Sequence, residues 1–323
     1  MHYVIYGAGG VGGTIGARLH MAGHRVTLIA RGEHAEALAS RGLTFRTPTE
    51  THELVIPTVR HPVELYSGSD TDGSDVMVLL CMKSQHTEAA LRDLAQTGVD
   101  WGGVACVQNG VANEELALRY FPRVYATVVN LPASHLNPGE IATFAHGQGG
   151  ILDTGCYPSG SDARAVEFTG ALESAGFSAK PDAEVMRWKY AKLLLNLGNV
   201  VEAGIRPEED TKAFAKMLRT EARDCYAAAG IDCAARSEVQ ARSADVYKFG
   251  AVPGIERGGG SSWQSMERGT GDIETEYLNG EICRLGRLYG VSTPANDAAV
   301  IMGRKLVQLA RGPGQFSLAD VLP

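Results

Sequence analysis

The sequence lacks several features that mark large classes of proteins. No apolar run approaches the roughly eighteen residues of a membrane-spanning helix, and no charged, cleavable leader precedes the first strand-like segment, so we expect a cytoplasmic protein. The 6 cysteines form no C-x-x-C pair, so we expect reduced thiols and no bound metal. A net charge of −7 argues against nucleic-acid or membrane partners, and an anionic substrate must therefore be held by a few local cations.

The two halves of the chain carry different patterns. In the first half, strand-like apolar runs at residues 3–6, 25–30, 76–82, 103–108 and 123–130 are separated by loops or helix-length segments such as 67–75 and 114–120. Shorter strand-like pieces follow at residues 144–153 and near residue 177. This alternation predicts a parallel, doubly wound sheet. In the second half, helical periodicity runs over residues 183–202, 211–229, 273–289 and 297–309, with a glycine-rich loop at 257–262. We therefore expect an α/β Rossmann domain over residues 1–182 and an all-helical substrate domain over residues 183–323.

A glycine pattern, G-x-G-x-x-G, stands directly after the first strand and opens a helix. Gly7 makes the tight turn, Gly9 lets a pyrophosphate approach the backbone, and Gly12 lets the helix pack closely on the strand. The free N–H groups at the start of that helix then bind phosphate. We predict that the segment Gly7, Ala8, Gly9, Gly10, Val11 and Gly12 binds a dinucleotide.

The end of the second strand indicates which dinucleotide is bound. Arg31 stands nineteen residues after Gly12, where an NAD enzyme places an acidic residue for the ribose 2′-hydroxyl. Because a guanidinium suits the 2′-phosphate instead, Arg31 predicts NADP(H). Two alternatives remain: that nearby Glu33 is the acidic residue of an NAD enzyme, and that Arg31 is only a solvated surface residue.

Lys83 and Asn109 each follow the end of a predicted strand. The carboxyl ends of parallel strands face the ligand crevice, so we expect both residues at the cofactor site, with Asn109 also within reach of a substrate. The alternatives are that Lys83 starts a helix in solvent and that the Asn-Gly dipeptide at residues 109–110 is only a turn.

Histidine is absent from the second half of the chain. All 9 histidines lie between His2 and His146, so a proton donor from the second domain must be of another type. Lysine is the natural choice, and Lys192, Asn196 and Asn199 are spaced to share one helix face. That face either meets solvent or lines a polar cleft, and Lys189 is the rival lysine on the same helix.

Taken together, these motifs resemble the ketopantoate reductase (2-dehydropantoate 2-reductase) family over nearly the whole chain. They are GAGGVG at Gly7, Arg31, MKSQ around Lys83, QNG at Asn109, KLLLN at Lys192, SSW at Ser261, and IETEYLNGEICRLGRLYGVSTPAN from Ile273. The resemblance implies NADPH-dependent reduction of 2-dehydropantoate to pantoate, a step of pantothenate biosynthesis. It also implies roles: Lys192 as proton donor, Asn196, Ser261 and Ser262 at the substrate, and Glu274 closing over the nicotinamide end of the cofactor.

Two positions depart from the family pattern. Val200 and Gly259 stand where the family usually has asparagines that contact the substrate. The exact 2-oxo acid therefore stays open between 2-dehydropantoate and a different ketone handled by a paralogous NADPH reductase. A non-catalytic NADP(H)-sensing protein is a further alternative, and a homodimer is a candidate assembly. A pure sensor has no need of Lys192, Asn196, Ser262 and Glu274.

Overall fold

The computed structural model describes residues 1–65 and 72–322. Residues 67–71 of the loop predicted at 67–75 lie outside the described residues. Within the described ranges, no helix is both long enough and apolar enough to cross a membrane.

The central element is a seven-stranded sheet. The strands of the chain, in order, are β1 His2–Tyr6, β2 Arg25–Ile29, β3 Leu43–Arg46, β4 Thr51–Leu54, β5 Thr58–Val59, β6 Val76–Leu80, β7 Gly103–Cys106, β8 Val124–Thr127, β9 Ala133–Asn137, β10 Glu140–Thr143, β11 Ala145–Gly147, β12 Thr154–Cys156 and β13 Tyr247–Phe249. The large sheet has the order β12-β8-β7-β6-β1-β2-β5, and every pair is parallel except β12 with β8. The chain leaves β1 in one direction and returns at β6 in the other, so the switch point of the sheet lies between these strands.

The inner strands are buried on both faces, which explains their continuous apolar sequences. In β1, Ile5 packs into the core on one face, and Val4 into the core on the other. In β6, Leu79 and Val78 divide in the same way. Because both faces of the sheet are buried, helices must lie on both sides of it, which agrees with the α/β fold predicted from the sequence. The predicted fold class is thus confirmed, although the sheet strands end earlier than expected, at Cys106 and Thr127.

The helices flank the sheet and then build the second half of the molecule. They are α1 Gly10–Met21, α2 Gly32–Arg41, α3 Thr87–Gln96, α4 Asn113–Leu118, α5 Ala163–Ser174, α6 Val185–Asn196, α7 Asn199–Gly204, α8 Lys212–Ala229, α9 Arg236–Ser243, α10 Ser261–Glu267, α11 Thr275–Tyr289 and α12 Pro294–Leu309, with short 3₁₀ turns at Pro62–Leu65, Ser84–His86 and Leu318–Asp320. In the second half, α11 packs against α8 and α12 around Phe214, Ile282 and Met302.

The helix predicted over residues 183–202 is interrupted, which corrects the expectation from sequence. It divides into α6 and α7 at Leu197 and Gly198. Glycine weakens a helix, and the Leu197 carbonyl accepts a hydrogen bond from Asn279 Nδ2 at 3.1 Å. Asn199 therefore begins a new helix and does not continue the face of Lys192. The loop predicted at 257–262 also ends early, because α10 begins at Ser261.

Two small sheets were not predicted. Strands β4, β3, β10 and β9 form a four-stranded sheet, and α1 packs against β10 and β9. The second is the antiparallel pair of β11 and β13, in which Ala145 lies opposite Phe249 and His146 opposite Lys248. This pair joins residues more than a hundred positions apart and ties the second half of the chain to the first.

Candidate active site

The glycine turn lies at the switch point of the sheet. Gly7 follows β1 with φ +100°, and a Cβ there would lie 2.8 Å from Met82 N, which follows β6. A Cβ on Gly12 would lie 2.2 Å from the Gly7 carbonyl oxygen, so close packing of α1 requires a glycine. A Cβ on Gly9, by contrast, would meet no atom within 4 Å and would project into open space. The turn therefore leaves room beside the start of α1, as a bound pyrophosphate requires.

Three connected cavities run along this edge of the sheet. The Arg31 cavity, about 300 Å³, is lined by residues that include Gly9, Arg31, His34 and Met82. The central cavity, about 320 Å³, shares Gly9 and Met82 with it and adds residues that include Gly10, Val11, Lys83 and Glu274. The Lys192 cavity, about 260 Å³, shares Val11, Asn109 and Ser261 with the central cavity. The shared residues place the three cavities next to one another, and together they are called the cleft from Arg31 to Lys192.

Arg31 lies at one end of this cleft and keeps N–H donors that its protein contacts do not use. Its Nη2 donates to the Tyr6 hydroxyl at 2.8 Å and to Asp93 Oδ2 at 2.7 Å. The side chain is 58% exposed, and both bonds leave from one nitrogen, so Nε and Nη1 remain for a ligand. Glu33, the competing signal, does not line the Arg31 cavity. Ala8 is buried in the turn, and its carbonyl accepts from His34 Nε2 at 2.8 Å if that nitrogen carries the proton.

Lys83 reaches across the cleft to the second half of the chain. Its ammonium donates to Ser265 Oγ and to the Asp272 carbonyl. Burial lowers the pKa of Lys83, and the nearby carboxylates of Asp272 and Glu274 oppose that change. Lys83 lines the central cavity as predicted, but in this structure its donors are directed at protein atoms.

Glu274 is buried where the two halves meet. Its Oε1 accepts from Ser84 N at 3.0 Å and from Ser84 Oγ at 2.9 Å. Burial raises the pKa of Glu274, while these two hydrogen bonds act in the opposite direction. The side chain lines the central cavity from the position just before α11.

The Lys192 cavity brings together three of the predicted residues despite the helix break. Lys192, Asn196 and Asn199 all line it, the last from the first position of α7. Burial lowers the pKa of the Lys192 ammonium below its ordinary value of 10.5. Within residues 1–65 and 72–322, no carboxylate forms an ion pair with Lys192. Asn196 Oδ1 is likewise buried without a hydrogen-bond partner among the described residues. An ammonium and a buried amide oxygen that both lack partners among the described residues can together bind a polar ligand.

Lys189, the rival on α6, has a different environment. Its ammonium lies 2.6 Å from Glu114 Oε1, and both side chains are almost fully buried, at 2% and 0% exposure. It also donates to the Gln108 carbonyl at 2.9 Å. These contacts fix α6 to the loop after β7 through Gln108 and to α4 through Glu114. Lys189 lines none of the three cavities.

The two serines of α10 differ in placement. Ser261 lines both the central and the Lys192 cavities. Ser262 is only 2% exposed and lines neither of them. The structure thus brings Ser261, and not Ser262, to the cleft.

Arg257 and an aromatic wall were missed from sequence. Phe144, Tyr247, Phe249 and Arg257 all line the Lys192 cavity. The pairing of β11 with β13 brings Tyr247 and Phe249 next to Phe144, and pairing between such short, distant strands leaves no local signal. The requirement for a local cation was the one signal that could have directed attention to Arg257.

A glycine turn at a sheet switch point, with a cleft leading from it to a lysine that has no carboxylate partner among the described residues, defines a dinucleotide-dependent oxidoreductase with a Rossmann domain. Comparison with known proteins shows which family within this class the chain belongs to. The family model "Ketopantoate reductase PanE/ApbA" matches residues 3–158, and "Ketopantoate reductase PanE/ApbA C terminal" matches residues 184–306. The chain belongs to the ketopantoate reductase family.

Individual relatives cover almost the whole chain. A 2-dehydropantoate 2-reductase of Archaeoglobus fulgidus is 28% identical over 316 residues, which is 95% of this chain and 96% of that protein. The solved PanE/ApbA family ketopantoate reductase from Ralstonia eutropha JMP134 is 25% identical with a TM-score of 0.78, covering 96% of this chain and 100% of that one. A D-mandelate dehydrogenase solved with NADH and anilino(oxo)acetate has the same fold, with 21% identity, a TM-score of 0.78 and coverage of 96% and 99%.

Proposed function

We propose that this protein reduces a 2-oxo acid to the 2-hydroxy acid with NADPH, and that the substrate is 2-dehydropantoate or a close analogue. The observation that carries the proposal is the Lys192 cavity. There the partly buried Lys192 ammonium and Asn196 Oδ1 line one cavity, neither with a partner among the described residues, and Asn109 and Ser261 also line the neighbouring cavity that contains the glycine turn. The family assignment supports the same reaction.

The residues along the cleft fit a dinucleotide. We assign the pyrophosphate to the turn from Gly7 to Gly12, since Gly9 leaves space there and α1 directs its first N–H groups at it. Arg31, with free donors at its end of the cleft, would hold the 2′-phosphate. Lys83, Asn109 and Glu274 would contact the nicotinamide side, because all three line the central cavity.

The proposed chemistry needs one proton from the protein. When bound, NADPH supplies a hydride to the carbonyl carbon. Lys192 stabilises the negative charge that develops on the carbonyl oxygen and donates a proton to it, so the ketone becomes an alcohol and NADP⁺ is released. The lowered pKa of Lys192 eases this proton transfer. Asn196 and Asn199 would orient the substrate, with Ser261 at its cofactor side. Ser262, which resemblance assigns to the substrate, would need a rearrangement of α10 to reach it.

The test is NADPH oxidation with a panel of 2-oxo acids that includes 2-dehydropantoate. We expect turnover with 2-dehydropantoate or with a branched analogue, and much weaker turnover with NADH. NADPH binding without oxidation of any 2-oxo acid or ketone would favour the sensing alternative. Turnover restricted to an unrelated ketone would favour the paralogous reductase.

The domain division drawn from sequence also stays a proposal, with its boundary at residue 182. The gap between the two family matches, from 158 to 184, supports it. So does α5, whose Phe168 and Leu172 pack into the core of the large sheet. Limited proteolysis of the full chain tests this boundary, with cleavage expected between α5 and α6.

A cytoplasmic location and a homodimer are proposals of the same kind. Exposed apolar side chains on α11 and α12, among them Leu288, Tyr289 and Ile301, offer a surface for a second copy. Light scattering of the purified protein at several concentrations distinguishes a dimer from a monomer.

A further inference from the structure

The lining of the Lys192 cavity is positively charged. Its charged residues are Lys192 and Arg257, and none of its described lining residues is an aspartate or a glutamate. The protein as a whole carries a net charge of −7, so a small cavity with two cations and no anion is a local exception. Such a cavity favours an anionic ligand.

Arg257 is held in position by an aromatic ring. Its guanidinium carbon lies 3.7 Å from the centroid of the Phe249 ring, a cation–π arrangement. Phe249 is held in turn by the β11–β13 pairing and by an edge contact with Tyr247, with ring centroids 5.8 Å apart. Stacking occupies one face of the guanidinium and leaves its in-plane N–H donors available. Within the described residues, Arg257 forms no ion pair and donates no hydrogen bond.

The two cations are suited to different atoms of a 2-oxo acid. An arginine keeps its proton at any ordinary pH, and its planar fork matches the two oxygens of a carboxylate. Lys192, with its lowered pKa, is suited to releasing a proton. In a 2-oxo acid the carboxylate and the ketone are on adjacent carbons, so one small cavity can present a cation to each.

We propose that Arg257, stacked on Phe249, binds the carboxylate of the substrate and thereby makes the enzyme select 2-oxo acids over neutral ketones. This inference rests on the proposed reductase function. Gly259, two residues after Arg257, helps to explain the arrangement. A Cβ at Gly259 would lie 2.7 Å from Trp263 Cγ and 2.9 Å from Glu202 Oε1, so a larger side chain could not be accommodated there without shifts. A polar side chain at position 259 is thus unavailable for the carboxylate, and Arg257 supplies the donors.

The experiment compares the parent with Arg257→Ala, Arg257→Lys and the control Lys248→Ala. Lys248 is an exposed cation on the same strand as Phe249 and does not line the cavity. Three quantities are measured: kcat and KM, each for the best 2-oxo acid and for its primary amide, and the Kd of oxamate. Oxamate carries the same carboxylate beside an amide carbonyl that is not reduced, so its binding needs no turnover.

We expect Arg257→Ala to raise the KM of the acid and the Kd of oxamate by roughly 10- to 100-fold, the usual effect of losing a charge-assisted hydrogen bond. Turnover of the amide should change little, so the preference for acid over amide should largely disappear. Arg257→Lys should restore part of the affinity, and Lys248→Ala should behave like the parent.

The outcomes separate this proposal from the proposed function. Unchanged oxamate affinity in Arg257→Ala, with turnover of the acid retained, overturns the role of Arg257 and leaves the reductase function intact. Oxamate binding that depends on Arg257, in a protein that reduces no 2-oxo acid, supports Arg257 and overturns the function. If oxamate and 2-oxo acids both fail to bind the parent, the carboxylate site itself is wrong.

Discussion

At the scale of single residues, the protein gives two lysines of one helix opposite environments. Lys189 is paired with Glu114 inside the molecule, whereas Lys192, three positions later, faces a cavity without a carboxylate partner among the described residues. The Lys189 ammonium has the Glu114 carboxylate as a counterion at 2.6 Å. An unpaired ammonium is destabilised by burial, and its pKa is lowered accordingly.

This difference predicts how activity depends on pH. Lys192 must be protonated to donate its proton, so kcat/KM should fall as the pH rises through its pKa. Because burial lowers that pKa, the decline should occur below pH 10.5. Steady-state rates across the alkaline range measure the profile. A profile that stays level up to pH 10.5 in a stable enzyme would show that no group with a lowered pKa supplies the proton.

Arg31 gives a second prediction at this scale. Arg31→Ala should weaken NADPH binding roughly 10- to 150-fold, because charge-assisted bonds worth about 1.5–3 kcal/mol are lost. NADH binding should hardly change. The control is Arg25→Ala, which removes an exposed cation from the other end of the same strand. Fluorescence titration with both cofactors gives the affinities, and equal NADPH affinity in variant and parent would assign the 2′-phosphate elsewhere.

At the scale of elements, α6 is fixed to the sheet domain by the Lys189–Glu114 pair. Removing one partner leaves a buried charge without compensation. Lys189→Met should therefore lower the free energy of unfolding by about 3–5 kcal/mol, and Lys189→Met combined with Glu114→Leu should recover much of that loss. Urea unfolding followed by circular dichroism measures both variants. A single variant as stable as the parent would mean that the pair contributes nothing to docking α6.

Some elements were predictable from sequence because their signals are local. The turn from β1 to α1 follows from glycines at fixed spacing, and β6 from five consecutive apolar residues. The position of Arg31 at the end of β2 follows in the same way. The interruption between α6 and α7 was missed because a single glycine in a helical pattern is a weak signal, and the Asn279 hydrogen bond to Leu197 comes from more than eighty positions away along the chain. The β11–β13 pair was missed because each strand has only three residues.

The residues of the site also fall into those that the sequence predicts and those that it does not. Lys192 and Asn196 lie one helical turn apart, so their shared cavity could be predicted from spacing. Arg257 lies in a glycine-rich loop and contacts the Phe249 ring of β13, so its place in the same cavity could not be predicted from spacing. The opposite placement of Ser261 and Ser262 depends on the start of α10, which falls at a glycine-rich boundary that sequence does not define to one residue.

At the scale of the whole molecule, the two halves meet through polar contacts along the cleft. Ser84, after β6, donates twice to Glu274, and Lys83 donates to Ser265 and to the Asp272 carbonyl. The cofactor residues of the first half are thus held against the second half, and changes in these contacts should affect stability as well as binding.

Glu274 tests this connection. Glu274→Ala leaves the buried Ser84 N–H without its acceptor and should lower the free energy of unfolding by about 1–3 kcal/mol. Glu274→Gln keeps an acceptor oxygen and should lose less. Glu276→Ala, in the first turn of α11, breaks an exposed ion pair with Arg304 of α12 and should cost less than about 1 kcal/mol. Thermal and urea unfolding of the three variants give the comparison, and equal losses for Glu274→Ala and Glu276→Ala would contradict the buried contact.

The central claim is that Lys192 donates the proton in an NADPH-dependent reduction, and the most direct measurement is the kcat of Lys192→Ala. We predict a decrease of about 10²–10⁴-fold, the usual contribution of a general acid, with NADPH affinity and thermal stability nearly unchanged. Lys192→Arg should not restore activity, because a guanidinium does not readily release a proton. Lys212→Ala, at the exposed start of α8, serves as the control. A Lys192→Ala enzyme that turns over substrate at close to the parent rate would contradict the account, because the proton would then come from another group.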